Sequence, residues 1–199
     1  MEKQLYKPLP MTTMRAGTIC RPQTSYVPMP VRADTPAIEV MTDLRRLPAA
    51  TIRADATLAQ ASQAMIANGV RLLLVVGLHG VIEGLITARD LMGERPINLL
   101  HERGGRHTAL VVADVMTPRS SIDVLDIATV LRAEVGDVVA TLKDAGRQHA
   151  LVIDRDPLTH EETLRGVFSA TQIGRQLGVP ILIFEVAHTF AQIEAELAK

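Results

Sequence analysis

The hydrophobic pattern changes period several times between residues 49 and 94, and each change marks an element. "AATI" (49–52) is a short apolar run that predicts a strand. In "TLAQASQAMIANG" (57–69), Leu58, Ala61 and Met65 recur at helical spacing. Thr57 and Gln60 fit a capping box at its start, and Gly69 fits its end. "VRLLLVV" (70–76) is almost continuously apolar and of strand length, which predicts a strand buried on both faces. "GLHG" turns the chain into a further strand, "VIEGLIT" (81–87). Thr87 then opens a second helix through "ARDLMGE", and Pro96 starts a short third one, "PINLLHERGG" (96–105). The order is strand, helix, strand, strand, helix.

The same order returns downstream. Val135, Val138 and Leu142 replace Leu58, Ala61 and Met65, and Gly146 replaces Gly69. "HALVID" (149–154) is the buried strand and "TLRGVFS" (163–169) the next one. The leading segment, "SSIDVLDIATVLRA" (120–133), is longer and predicts an extra helical turn. Three anchors keep their order. "EVMT" at 39 matches "DVMT" at 114, an offset of 75. "MIANGVRLLLVV" at 65 matches "LKDAGRQHALVI" at 142, an offset of 77. Gly84 matches Gly166, an offset of 82. The offset grows through a polar loop, "RDPLTHEETLR", whose length costs little because closure entropy grows only logarithmically.

The flanks differ. Residues 1–39 hold six prolines and little apolar periodicity, which predicts an extended arm. Residues 180–199 carry Ile183, Val186, Ala187, Phe190, Ile193 and Leu197 at helical spacing. That stripe predicts a helix, packed either on its own domain or against a second subunit. The expected organisation is an arm (1–39), a first unit (40–105), a second unit (106–179) and a C-terminal helix (180–199).

Composition narrows the function classes. Hydrophobic residues make up 47% of the 199, enough for a packed core. With 21 basic and 22 acidic residues, no net field favours nucleic acid or an anionic membrane. Aromatic content is 3% without Trp, so base-stacking platforms are scarce. The longest apolar runs are far shorter than the roughly 20 residues needed to span a bilayer, and no signal peptide is evident. Cys20 is the single cysteine, so no internal disulfide forms. These features lead to an expected cytoplasmic location. Phosphate-loop, dinucleotide and nucleophile-elbow motifs are absent, and the six histidines lack metal spacing.

Two units of this order, each opened by "VMT" (40–42 and 115–117) and carrying "NGVRLLLVV" with "GLITARD", or "AGRQHALVID" with "GVFSATQ", resemble a tandem CBS domain pair, the Bateman module. The resemblance covers about residues 40–178. It implies an α+β (α/β) fold of two β-α-β-β-α repeats packed as a pseudo-twofold pair. It also implies clefts for adenosine-containing ligands such as AMP, ADP, ATP or S-adenosylmethionine, a homodimer, and an unidentified regulated protein. Leu74 and Leu151 stand where the family often has Pro, and Gln172 where it usually has an acid or Asn.

The residues themselves suit such a ligand. Gly84 admits the close approach of a ligand or neighbouring backbone. The Thr87 hydroxyl and the amides of the following helix can take a phosphate oxygen. Asp90 offers two oxygens to a ribose diol, and Arg71 and Arg89 offer charge to phosphate. Ile52, Leu72 and Leu73 could sandwich an adenine whose edge is read by backbone around Thr51. A second site of Gly166, Ser169, Thr171, Gln172 and His149 should be weaker, because a Gln amide holds a diol less well than a carboxylate. Thr87 with Asp90, and Ser169 with Gln172, are equally capping boxes. The expected protein is non-catalytic and regulatory. The alternatives are a ligand-free dimerisation scaffold or, less favoured, a nucleotide-processing enzyme. The 39 residues before the pair and the 21 after it are too few for a catalytic domain.

Overall fold

A computed structural model describes residues 29–103, 110–159 and 161–183. In the first unit, α1 (Leu58–Asn68) is capped as its sequence predicts. The Thr57 hydroxyl accepts the Gln60 amide at 3.2 Å, the Gln60 side chain accepts the Thr57 amide at 2.8 Å, and Gly69 closes the helix at φ 63°. Leu58, Ala61 and Met65 form its buried stripe. In the second unit, α6 (Val135–Asp144) buries Val135, Val138 and Leu142. The expected extra turn is α5 (Ile127–Val130), capped by Asp126.

Two four-stranded sheets result. The first is β2 (Thr51–Ile52), β3 (Leu72–Val76), β4 (Ile82–Thr87) and β5 (Thr117–Pro118), in that order. The second is β1 (Thr42–Asp43), β8 (Glu162–Ser169), β7 (His149–Arg155) and β6 (Val124–Asp126). In each, the short leading strand pairs parallel to the central strand (Thr51 with Leu74, Val124 with Leu151), and the central pair is antiparallel. The motif helices follow, α2 (Ala88–Met92) after β4 and α7 (Ala170–Leu177) after β8. The third helix, α3, runs Glu94–Arg103, so Pro96 lies within its first turn, where a missing amide costs nothing.

The strand that each "VMT" opens belongs to the other unit's sheet. β1 pairs with β8, and β5 pairs with β4. The preceding turns cross as well. Val112 and Val115 of α4 (Val112–Val115) lie in the first core with Leu73, Val75 and Ile86. Ala37 and Val40, on a 3-10 turn, lie in the second core with Phe168 and Ile173. The two motif glycines follow from this exchange. A Cβ on Gly84 would collide with the Thr117 carbonyl oxygen, and one on Gly166 would collide with the Met41 side chain. The neighbour that Gly84 admits is therefore backbone.

Leu72 and Leu74 face away from the first core and meet Leu151 in an apolar seam between the sheets, so β3 is buried on both faces as its composition predicts. The end of the Pro-containing arm is built into the second unit: Val31 donates to Gln176 O, Ala37 to Ala133 O, and Val135 to Thr35 O. Residues 180–183, where a helix was expected to begin, are not helical, and Ile183 is buried in the second core. The rest of that predicted helix lies outside the described residues. Among the described residues, no helix is long and apolar enough to cross a membrane.

Candidate functional site

Two clefts of about 550 Å³ each flank the seam. The first contains the Thr87–Asp90 motif. Strand β4 ends at Thr87 in extended geometry, and the Ala88 amide donates to Arg71 O at 3.0 Å, which ties the start of α2 to the entry of β3. The capping box forms. Asp90 Oδ2 accepts the Thr87 amide at 2.8 Å and the Thr87 hydroxyl at 2.7 Å, and the Asp90 amide donates back to that hydroxyl oxygen at 3.3 Å. The pair thus stands, mutually bonded and half-buried, at the cleft wall.

Arg71, Leu72 and Arg89 join this motif from the first repeat, and Asp123, Arg147 and His149 face it from the second. Arg147 pairs with Asp123 at 3.1 Å and donates to Ser121 O at 3.4 Å. Leu85, Ile122 and Leu151 complete an apolar wall. The cleft therefore combines an apolar wall, a carboxylate beside a hydroxyl, and arginines from both repeats. Those are the parts needed to hold a ring, a sugar and an anion.

Several expected residues lie elsewhere. Leu73 is fully buried in the first core, on the opposite face of β3. Ile52 packs on that core, and neither Thr51 nor Ile52 lines either of these two clefts. Gly84 and Gly166 are occupied by β5 and by Met41. Ile122, Asp123 and Leu151, which the sequence reading missed, take the place expected of the strand ends. Their signal lies in register: Val124 opposite Leu151 repeats Thr51 opposite Leu74, so Ile122–Asp123 are the counterparts of Ala49–Ala50.

The second cleft has the same volume and different chemistry. Ser169 is the N-cap of α7, but its side chain makes no capping bond. Gln172, expected to complete a capping box, instead accepts a hydrogen bond from the Thr42 hydroxyl at 3.3 Å across the exchanged segment. Leu47, Pro48, Ala49 and Ala50 supply its apolar wall. Its charged lining residues are Arg71 and Arg175, with no Asp or Glu. The Arg71 guanidinium reaches over and donates to the Thr171 hydroxyl. His149 lines both clefts. Burial, and then the positive charge of Arg71, push its pKa down to about 4, so it is neutral at pH 7. Among the described residues, no group of three or more His, Cys, Asp or Glu could hold a metal ion.

The CBS domain family model matches residues 37–96. An uncharacterized conserved protein from Pyrococcus horikoshii is similar in structure, with a TM-score of 0.51 and 17% identity over 72% of this chain and 92% of that one. CBSX2, solved in complex with AMP, has a TM-score of 0.50 and 20% identity over 71% of this chain and 93% of its own. A second CBSX2 structure, described as a CBS-pair protein from Arabidopsis thaliana, has a TM-score of 0.47 and 20% identity over 72% of this chain and 94% of its own. No curated protein matches the chain.

Proposed function

We propose that the chain is a tandem pair of CBS units and a non-catalytic regulatory module that binds an adenosine-containing ligand in the first cleft. One observation carries this reading: a cleft of about 550 Å³ places the Thr87–Asp90 pair beside arginines and opposite an apolar wall drawn from both units. The ring would lie against Leu72, Ile122 and Leu151. Asp90 would receive the ribose hydroxyls, and Thr87 with the first turn of α2 the phosphate, near Arg71 and Arg89. CBSX2, which shares the fold, was crystallised with AMP.

A ligand held by both repeats favours whichever relative placement of the units binds it better, and that difference is what a regulated partner would read. The competing reading is a ligand-free scaffold. It has its own support, because Asp90 is already engaged by Thr87 and Gln172 by Thr42. Thermal shift separates the two. A ligand at a hundred times its dissociation constant adds about 2.7 kcal/mol, so one of AMP, ADP, ATP or S-adenosylmethionine should raise the melting temperature and be recovered unchanged. No shift with any of the four favours the scaffold, and sustained turnover makes the protein an enzyme.

A further inference from the structure

Residues 71 and 148 occupy equivalent places in the two repeats. Each precedes the residue that pairs with a motif cap, Leu72 with Thr87 and His149 with Ser169. The carbonyl of each accepts the first amide of the motif helix, Ala88 to Arg71 at 3.0 Å and Ala170 to Gln148 at 2.9 Å. The backbone roles match, but the side chains do not: one is arginine, the other glutamine. Arg71 lines both clefts, and its guanidinium is bonded to Thr171 in the first turn of α7, on the side of the second cleft. The backbone of Arg71 thus supports the first motif while its charge sits at the second. His149 beside it is neutral at pH 7 and supplies no substitute charge.

A guanidinium is charged at every working pH and can satisfy an anion through paired donors. A bond to phosphate is roughly twice as strong as one to a neutral hydroxyl, so an anion in the first cleft outcompetes Thr171 for the same group. We propose that Arg71 is the phosphate-selecting residue of the first cleft, held in reserve by Thr171 of the second, so that a phosphorylated ligand in the first cleft withdraws a positive charge from the second. This rests on the adenosine-ligand reading above. It makes the first cleft discriminate a nucleotide from its nucleoside, and it makes that discrimination depend on a residue of the other unit.

The test is calorimetric titration of AMP and adenosine into the full chain, with the affinity ratio as readout. Arg71→Gln, which copies the residue at 148, should lower the preference for AMP about tenfold, the loss of roughly one charged hydrogen bond. Thr171→Ala should raise it about threefold, because the guanidinium no longer leaves a neutral bond of modest net strength. Thr171→Ser, which keeps the hydroxyl, should retain the wild-type ratio and guards against a general packing effect. A ratio unmoved by Arg71→Gln overturns the proposal. So does a ratio that stays or falls in Thr171→Ala, the latter placing the phosphate in the second cleft. If neither AMP nor adenosine binds the wild type, the adenosine reading itself fails and this proposal falls with it.

Discussion

The two motif helices begin alike in sequence and differently in space. At the first, Thr87 and Asp90 bond each other within one helix start. At the second, Ser169 caps nothing with its side chain, Gln172 turns to Thr42, and Thr171 is bonded by Arg71, so two bonds reach into the first repeat. One helix start is locally closed; the other is held by its neighbour. A four-residue motif therefore does not determine its own hydrogen bonding. Side-chain length is not the reason, because Gln60 closes such a box at the start of α1; Gln172 instead meets Thr42 of the exchanged segment.

The sharpest way to break the comparison is at the glycines. Gly84→Ala drives a methyl group into the fixed Thr117 carbonyl, and an overpacking cost of about 1–3 kcal/mol is expected. Gly166→Ala meets the flexible Met41 side chain, which can move, so it should cost clearly less. Urea melts of the two variants decide this, and equal losses would mean that β5 yields as easily as Met41. Next comes ligand binding. Asp90→Ala should weaken AMP about tenfold or more, the loss of a charged hydrogen bond, and Gln172→Ala much less. A larger calorimetric loss at Gln172 would reverse the ranking of the clefts.

The caps give a smaller contrast. Thr87→Ala removes a side-chain cap and should cost about 1 kcal/mol. Ser169→Ala removes none, so its expected change is within about 0.5 kcal/mol, measurable by the same melts. The smallest effect at neutral pH belongs to His149. Its folded pKa of about 4 lies below the ordinary 6.5, so on acidification the unfolded chain takes up the proton first. Stability conferred by the neutral ring is present above pH 6.5 and is lost as pH falls toward 4. His149→Gln should flatten the stability profile in that window and leave pH 7.5 melts little changed by protonation.

What was legible in the sequence was local. The Thr57–Gln60 box, the Gly69 terminator, the apolar run of β3 and the extra turn at Ile127 each declare themselves within about a dozen residues. The exchange of opening segments was not legible. Strands β1 and β5 are two residues long, and nothing in "TD" or "TP" says which sheet edge they complete. That one omission displaced the expected wall of the site. Counting a repeat as a packing unit puts Thr51 and Ile52 next to Thr87, whereas in space the second repeat supplies Ile122 and Asp123. The role of Gln172 was hidden for the same reason: Thr42 is 130 residues away along the chain. Leu74 and Leu151 were visible only as departures from the family pattern, and their use emerges in the seam between the sheets.

The exchange also bears on what half of this protein could be. Cut between residues 103 and 110, the first half would carry a strand and an apolar turn with no sheet or core of its own to receive them. It would also lack Val112, Val115 and the β5 edge. The second half would be open in the complementary places, without Ala37, Val40 and β1. Each half is an incomplete object with a built-in donor. Two copies of one half brought together could each fill the other's gap, so the smallest self-sufficient body this architecture allows is a pair, and joining two units in one chain makes that pairing independent of concentration.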